Sequence, residues 1–260
     1  MEFFDCHCHT ERSACAEDVS LSMYVELASG GAPPFVVTDH SAHLFCPADM
    51  KWAFWGDEAS EIFEANRDAG MARCADYVAW LKAAQTGGML VGVELDVFYD
   101  GRLVFDPALL PELDFIVGAV HGMRTLNNEQ PLEQVVDELK TRTLYLAEAG
   151  MNALAHPFRE WKQKNREVPL WVIEWLVDTA ADAGFAPELN CHYKVPQADL
   201  EMVKLCVERG VPIATGTDTH RSYEFGDFSY HEEILQQAGI ERERWDAVLL
   251  PAPNVTGSRV

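Results

Sequence analysis

Short apolar runs alternate with longer amphipathic stretches along almost the whole chain. The short runs are bounded by turn residues and have the length of strands that are buried on both faces of a sheet. Seven such runs predict strands, at Glu2–Cys6, Phe35–Thr38, Met89–Leu95, Phe115–Val120, Ala153–Ala155, Pro187–Asn190 and Pro212–Ala214.

The longer stretches repeat apolar residues at helical spacing. They predict helices at Asp57–Gln85, Pro131–Ala149, Pro169–Ala183, Gln197–Arg209 and Ser229–Ala238. Gly70 is a candidate break in the first of these helices, because glycine is a poor helix former. Gly184 and Gly210 each follow a helical stretch, where a left-handed cap is expected.

Strands that alternate with helices or long loops predict a parallel sheet with right-handed crossovers. An open doubly wound sheet and a closed barrel fit this order of elements equally well. No G-x-G-x-x-G motif follows the first strand, which removes the main support for a dinucleotide-binding open sheet. The chain shows no linker or internal repeat, so residues 1–260 are expected to form a single α/β domain.

The chain is strongly acidic, with 20 Lys and Arg against 42 Asp and Glu and a formal net charge of −22. Nucleic acids and anionic membranes bind basic surfaces, so neither a nucleic-acid polymer nor a membrane is an expected partner. No apolar stretch is long enough to cross a membrane, and the N-terminus has no secretory pattern. Seven irregularly spaced cysteines favour reduced thiols and a cytoplasmic location.

Six of the nine histidines, together with two carboxylates, lie at or just after the ends of predicted strands. In a parallel barrel the C-terminal strand ends converge on one face, and active sites lie there. The strand-end groups are His7, His9, His40, Glu94, His121, His156, Asp218 and His220.

Imidazole and carboxylate groups suit zinc, manganese or iron. His7 and His9 point to the same side of an extended segment, so this pair can hold one ion. Glu94 offers two oxygens, which allows it to bridge two ions. A single strand-end histidine is more often a packing or capping residue, and that interpretation is kept for His43, His192 and His231. The whole set together predicts a metal centre.

A series of motifs in a fixed order spans residues 5–220: Asp5-x-His7-x-His9-Thr10, Thr38-Asp39-His40, Gly92-Val93-Glu94, Val120-His121, Ala155-His156-Pro157 and Gly216-Thr217-Asp218-Thr219-His220. The series resembles the PHP (polymerase and histidinol phosphatase) superfamily, and its histidinol-phosphatase-like branch in particular. The resemblance implies a distorted (β/α)7 barrel and two or three divalent metal ions, with zinc, manganese or iron as candidates.

The resemblance also implies how the ligands are divided. The first metal would be held by His7, His9, Glu94 and Asp218, and the second by Glu94, His121 and His156. The third would be held by His40, His220 and one ligand from the loop after His9.

That loop departs from the family pattern, which has a histidine or an aspartate there. Cys15 stands at the position of the histidine, and a thiolate can ligate zinc or iron. The alternatives are that Glu11 or Glu17 supplies an oxygen, or that the third site is empty.

Phosphate recognition requires cations or backbone amides near the metals. Four basic residues follow strand-end motifs, namely Arg124, Arg159, Lys194 and Arg221. Each has the alternative of being a solvated surface charge, and position favours Arg159 and Lys194. The acid that protonates the leaving alkoxide is expected among Asp218, His192 and His220.

The loop Ser41–Gly56 is rich in aromatic residues and follows His40, so it is either a lid or wall of the site or a segment packed on the adjacent long helix. The tail Leu249–Val260 has no functional assignment.

The predicted activity is hydrolysis of a small phosphate monoester by metal-activated hydroxide. The alternatives are a phosphodiesterase acting on a small cyclic or nucleotide diester, an amidohydrolase-like enzyme, and a non-catalytic PHP module. No predicted strand contains the lysine usual in amidohydrolase barrels, and the nearly complete ligand set argues against the module. Histidinol phosphate, a nucleotide, a sugar phosphate and a cyclic phosphodiester all remain open as substrates, and the oligomeric state is also open.

Overall fold

A computed structural model describes residues 3–56 and 58–253 of the chain. Within them, seven parallel strands close into a barrel in which each strand pairs with the next and the last pairs with the first. The strands are β1 (Asp5–Cys8), β2 (Phe35–Val37), β3 (Met89–Asp96), β4 (Phe115–Ala119), β5 (Ala153–Leu154), β6 (Ala186–Asn190) and β7 (Ala214–Gly216). The predicted closed barrel is therefore confirmed, and the alternative of an open doubly wound sheet is wrong.

Helices connect the strands and surround the barrel. In the described residues the α-helices are α1 (Leu21–Ser29), α2 (Ser41–Phe45), α3 (Ala59–Ala84), α4 (Arg124–Asn127), α5 (Leu132–Glu148), α6 (Arg159–Gln163), α7 (Leu170–Ala183), α8 (Pro196–Arg209), α9 (Ser229–Gln237) and α10 (Trp245–Val248). Short 3₁₀ turns lie at Ala53–Trp55, Pro107–Glu112 and Arg242–Arg244. None of these helices is long and apolar enough to span a bilayer.

The five predicted helices correspond to α3, α5, α7, α8 and α9, each within about two residues of the expected bounds where the chain is described. The predicted first residues Glu2 and Asp57 lie outside the described residues, as does the tail beyond Pro253. Gly184 and Gly210 cap α7 and α8 in the left-handed conformation, with φ of 79° and 68°.

The expected break at Gly70 is wrong, because α3 runs through it without interruption. Gly70 lies against the ring of Phe45, and a Cβ at this position would come within 2.6 Å of that ring. The glycine therefore permits close packing of α3 on α2.

Two strands are displaced from their predicted positions by about two residues. Phe3 lies outside β1 and stacks on Phe228, with ring centroids 4.6 Å apart. Ile213 lies outside β7 because its backbone bonds to the end of the chain, donating to Val248 O at 2.9 Å and accepting from Leu250 N at 2.8 Å. In both cases an apolar run extends past the strand that it adjoins.

Every residue of the seven strands is buried, as expected of a sheet covered on both faces. All strands run in the same direction, so their C-terminal ends form one rim of the barrel. The backbone bridge between His40 and Glu94 continues the pairing of β2 with β3 toward that rim. This geometry places the strand-end groups.

Candidate metal centre

The groups expected at the strand ends lie together at this rim. Glu94 belongs to β3 and His7 to β1, and the other groups follow their strands within a few residues. All eight are buried, and they are His7, His9, His40, Glu94, His121, His156, Asp218 and His220.

Glu94 stands at the centre of the cluster. Its Oε1 lies 3.0 Å from His156 Nε2 and 3.3 Å from His121 Nε2. Its Oε2 lies 3.5 Å from His7 Nε2 and 3.7 Å from His9 Nε2. Each oxygen therefore faces a different pair of imidazoles, which is the arrangement that a bridging carboxylate requires.

Asp218 and His40 complete the surroundings of these imidazoles. Asp218 Oδ1 lies 3.0 Å from His9 Nε2 and 3.6 Å from His7 Nε2. His40 Nδ1 contacts Glu94 Oε2. The ligand atoms of His9, His40 and His220 also lie within 4.8 Å of one another, close enough to share an ion.

Several atoms of the cluster have no hydrogen-bond partner among the described residues, although they are buried. They are Nε2 of His7 and Nε2 of His121, together with Nδ1 of His40 and Oε2 of Glu94, which contact each other without a hydrogen bond. Leaving buried polar atoms unsatisfied costs about 1–3 kcal/mol each, so natural structures rarely do so without a reason. A divalent cation would satisfy all four, and the donor set therefore fits metal ions.

The charges of the cluster are strongly coupled. Burial opposes ionisation of Glu94, but the surrounding histidines, chiefly His40 and His121, hold its pKa well below the usual value. Burial also opposes ionisation of Asp218, while His7 and His220 hold its pKa well below the usual range. Burial lowers the pKa of His220 to about 4, which keeps this imidazole in the neutral form that ligates metals.

Two carboxylates outside the predicted set orient the candidate ligands. Glu188 Oε1 accepts a hydrogen bond from His7 Nδ1 at 3.0 Å, and Asp96 Oδ1 accepts one from His121 Nδ1 at 2.8 Å. Each bond fixes the tautomer in which Nε2 is available to a metal. The role of Asp96 could have been inferred from the spacing Glu94-x-Asp96 in the sequence. No local spacing indicates Glu188, because it lies 181 residues from His7.

Glu188 also holds a backbone group of a second candidate ligand. Its Oε2 accepts from the His156 backbone N–H at 2.7 Å and from Asn190 Nδ2 at 3.0 Å. His156 has a φ of 24° and Asp218 a φ of 53°, values that are uncommon outside glycine and that cluster at functional sites. Glu188 therefore stabilises a strained segment of the centre.

The loop after His9 brings Cys15 to the edge of the cluster. Its Sγ and a nitrogen of His40 lie within 4.8 Å of each other. Glu11 accepts from the backbone N–H of Leu21 at 2.8 Å, at the start of α1. Glu17 is paired with Arg221 at 2.5 Å on the surface. Both glutamates are thus engaged elsewhere, and Cys15 as a ligand stays a prediction.

The three histidines left outside the predicted ligand set differ in their surroundings. His231 is buried and donates from Nε2 to Leu189 O at 2.7 Å, as a packing residue does. His192 is partly exposed, and its ring lies 4.6 Å from that of His220. His43 is buried with its ring 4.7 Å from that of His40.

Of the four candidate phosphate-binding residues, Arg159 lies deepest. Its guanidinium stacks on Tyr193 at 4.7 Å, and Tyr193 in turn contacts the His156 ring at 5.3 Å. Its Nε is buried without a hydrogen-bond partner among the described residues.

The other three basic residues are more exposed. The Lys194 ammonium lies over Tyr230 at 5.2 Å, and Arg221 pairs with Glu17. Arg124 lines a cavity of about 250 Å³ that reaches His121. Of these four residues, Arg159 is the one whose guanidinium stacks on a ring that contacts a candidate ligand, His156.

One part of the aromatic loop Ser41–Gly56 packs in the core, and another part faces the candidate metal centre. Phe54 is buried against Phe45 and Phe98, which is core packing. Trp55 instead covers the centre, with its ring 5.2 Å from His40 and 4.9 Å from His121. Gly122 permits this, because a Cβ there would lie 2.6 Å from Trp55 O. Trp55 is therefore one wall of the site.

The fold and the buried cluster define a class, that of parallel barrels with a metal centre at the C-terminal rim. No family model matches the chain. A protein named probable phosphatase from Acetivibrio thermocellus is 28% identical over 249 residues, which cover 92% of this chain and 88% of that protein. Another probable phosphatase, from Caldicellulosiruptor saccharolyticus, is 21% identical over 91% of this chain and 88% of its own length.

Two further similarities extend the comparison. The DNA polymerase/3'-5' exonuclease PolX of Bacillus subtilis is 24% identical over 83% of this chain, but only 34% of its own length is covered. Histidinol phosphate phosphatase (HISK) of Lactococcus lactis, solved with zinc, L-histidinol and phosphate, covers 92% of this chain and 95% of its own with a TM-score of 0.53. At 15% identity this likeness shows the fold. Together the similarities confirm the resemblance to the PHP superfamily predicted from the motifs.

Proposed function

We propose that the protein is a metal-dependent hydrolase of small phosphate monoesters. One observation carries the proposal: imidazole nitrogens of buried histidines converge on both oxygens of Glu94, and three of these nitrogens and Oε2 of Glu94 have no hydrogen-bond partner among the described residues. A full-length relative named probable phosphatase and a structural neighbour solved with zinc and phosphate support the same chemistry.

The residues that would hold the ions follow from the geometry and the family pattern. His7, His9, Glu94 and Asp218 would hold the first ion, and Glu94, His121 and His156 the second. His40 and His220, with Cys15, are the candidates for a third. Bound divalent ions supply Lewis-acid polarisation of phosphoryl oxygens and a hydroxide nucleophile at neutral pH. Zinc, manganese and iron all suit this donor set.

Arg159 is proposed to bind the phosphoryl group. Its Nη1 pairs with Glu160 Oε1 at 2.5 Å, its buried Nε has no partner among the described residues, and a guanidinium matches the geometry of phosphate oxygens. Stacking on Tyr193 fixes the orientation of the guanidinium plane before substrate arrives. This residue would offset the charge that grows on the phosphoryl oxygens during the reaction.

His192 is proposed to protonate the leaving alkoxide. His220 and Asp218 are buried within the ligand cluster, and His220 Nδ1 already donates to Asp218 O at 2.6 Å. His192 lies next to His220 at the solvent side, and its Nδ1 is 3.5 Å from Glu224 Oε1. A partly exposed imidazole can exchange its proton with water after each turnover.

The natural substrate class remains the small phosphomonoesters, with histidinol phosphate, nucleotides and sugar phosphates as candidates. All seven cysteines are unbonded thiols, which supports the proposed cytoplasmic location.

The proposal is tested by phosphate release from a panel of phosphomonoesters with zinc, manganese or iron added to the purified protein. We expect hydrolysis that a chelator abolishes and added metal restores. Glu94→Ala and His121→Ala should lose at least a hundredfold in kcat/KM, since each removes a ligand. Glu112→Ala, at a surface ion pair with Lys82, is the matched control. Hydrolysis that survives chelation, or that survives in both ligand variants, would contradict the proposal.

A further inference from the structure

A separate cavity, of about 210 Å³, shares no lining residue with the 250 Å³ cavity. Three cationic side chains, those of Arg12, Lys51 and Arg73, line it together with His43 and one carboxylate, Asp76. Such a concentration of positive charge is unusual on a chain with a net charge of −22.

None of these three cations forms an ion pair within residues 3–56 and 58–253. Lys51 Nζ donates to the backbone oxygen of Arg12 at 2.7 Å, and Arg73 Nε donates to Leu44 O at 3.3 Å and Phe45 O at 3.1 Å. The Arg12 guanidinium lies over the ring of Trp80 at 4.6 Å. Backbone oxygens and a ring hold the side chains in place, and Asp39 acts on Lys51 without forming an ion pair with it.

In the 250 Å³ cavity, by contrast, arginine side chains form ion pairs. There Arg102 pairs with Asp100 at 2.8 Å and with Glu64 at 2.6 Å. Arg142 in the same cavity pairs with Glu138 at 3.4 Å. The arginines Arg102 and Arg142 of that cavity are thus ion-paired, whereas the 210 Å³ cavity has three cations without ion pairs among the described residues and one lining carboxylate, Asp76.

His43 gives a separate indication that a hydrogen-bond acceptor binds here. Its Nδ1 accepts a hydrogen bond from the backbone N–H of Ala14 at 3.1 Å, so the ring hydrogen must be on Nε2. This Nε2 is buried and has no acceptor among the described residues. His43 therefore brings to the wall of the cavity a buried side chain whose Nε2 lacks an acceptor, next to three cations that form no ion pair among the described residues.

We propose that the 210 Å³ cavity binds an oxyanion, and that this oxyanion is a carboxylate carried by the phosphate ester that the metal centre hydrolyses. The proposal rests on the proposed function. His43 connects the two places, because it lines the cavity and its ring lies 4.7 Å from that of the candidate ligand His40. The cavity and the candidate ligands are thus separated by about the width of one imidazole ring, a distance within the length of a small substrate.

The test compares pairs of esters in which one member has a carboxylate where the other has a hydrogen or a hydroxymethyl group. O-phosphoserine is compared with O-phosphoethanolamine, and 3-phosphoglycerate with glycerol 3-phosphate. The acidic surface repels the more anionic member of each pair, so a preference for it requires a specific site. We expect the parent protein to show a higher kcat/KM for the carboxylate-bearing ester in at least one pair.

Lys51→Met removes one charge and keeps the length of the side chain. We expect it to lower the ratio of the two kcat/KM values about ten- to a hundredfold, the usual effect of losing a charge-assisted hydrogen bond. A variant that merely disturbs the fold lowers both values and leaves the ratio intact. Lys82→Met, at the Glu112 ion pair on the same helix as Arg73, is the control and should keep the ratio.

Three results would overturn the inference. They are the absence of a preference in both pairs, a preference that Lys51→Met leaves unchanged, and stimulation of glycerol 3-phosphate hydrolysis by sulfate that requires Lys51. The last would assign the cavity to an independent anion. If p-nitrophenyl phosphate and all four esters resist hydrolysis, the proposed function itself has failed. If p-nitrophenyl phosphate is cleaved but no preference exists, only this inference has failed.

Discussion

Glu188 offers the sharpest test of how the metal centre is built, because this carboxylate contacts two candidate ligands without being one. Its Oε1 accepts from His7 Nδ1 at 3.0 Å and its Oε2 accepts from His156 N at 2.7 Å. In Glu188→Gln only one of the two positions keeps an oxygen. The amide NH₂ at the other position faces a donor and cannot accept from it. Either the His7 tautomer or the His156 backbone therefore loses its support.

The expected cost is a loss of metal affinity. Removing a hydrogen-bond partner behind a ligating histidine typically lowers metal affinity about 10–100-fold, equivalent to about 1.4–2.7 kcal/mol. The side chain is completely buried, so solvent cannot replace the lost acceptor. The measurement is equilibrium competition for Zn²⁺ between the protein and a chromophoric chelator, which requires no knowledge of the substrate.

The control is Asp199→Asn, which changes another buried carboxylate to its amide away from the candidate ligands. Asp199 accepts from Val195 N at 2.8 Å and from Tyr230 Oη at 2.6 Å. We expect it to keep the parent zinc affinity. Parent affinity in Glu188→Gln, or an equal loss in both variants, would refute the positioning role of Glu188.

Three further predictions follow from the same contacts. Gly216→Ala places a Cβ 1.8 Å from Glu188 Oε1, so we expect a loss of about 1–3 kcal/mol in unfolding free energy by urea titration together with weaker zinc binding; full parental values for both would contradict it. Burial raises the pKa of Asp199 to about 7, so the folded state retains a proton that the unfolded state has lost between about pH 4 and pH 7, and stability falls as pH rises through that window. The difference in unfolding free energy between the parent and Asp199→Asn should therefore change by about 4 kcal/mol from pH 4 to pH 8, and a pH-independent difference would reject this assignment. Zinc binding should change tryptophan fluorescence through Trp55, whose ring lies 4.9 Å from that of His121, and Trp55→Phe should remove most of the change.

Much of the barrel was predictable because its signals are local. A strand buried on both faces is a short apolar run wherever it lies, and β2, β3 and β4 were predicted within about one residue for that reason. The long helices were predictable from their spacing of apolar residues. α1 also carried such a signal, since Ser20 caps it and Leu21, Tyr24 and Ala28 form its buried face, but this signal was missed.

The wrong predictions lie where a contact with another part of the chain decides the local structure. Ile213 extends the apolar run before β7, yet its backbone bonds to Val248 and Leu250 instead of joining the barrel. Gly70 has the propensity of a helix breaker, but contact with Phe45 places it inside α3. Local preference was outweighed in both cases by a tertiary contact.

The sequence by itself determined which groups stand at the strand ends, because a parallel barrel brings every C-terminal strand end to one rim whatever the connections are. It therefore predicted His7, Glu94, His121 and Asp218 as neighbours. Only the tertiary structure decided what surrounds them. Contacts such as that of Glu188 with His7 join residues 181 positions apart and depend on side-chain packing at the rim.

The same distinction applies to charge. The total of −22 is a property of the sequence, and it predicts that an anion meets a repelling surface. Composition carries no information on which charges neutralise one another. The structure pairs Arg102 with Asp100 and leaves Lys51 and Arg73 without ion pairs among the described residues, because ion pairing depends on distances of a few ångströms that are set only when the barrel closes.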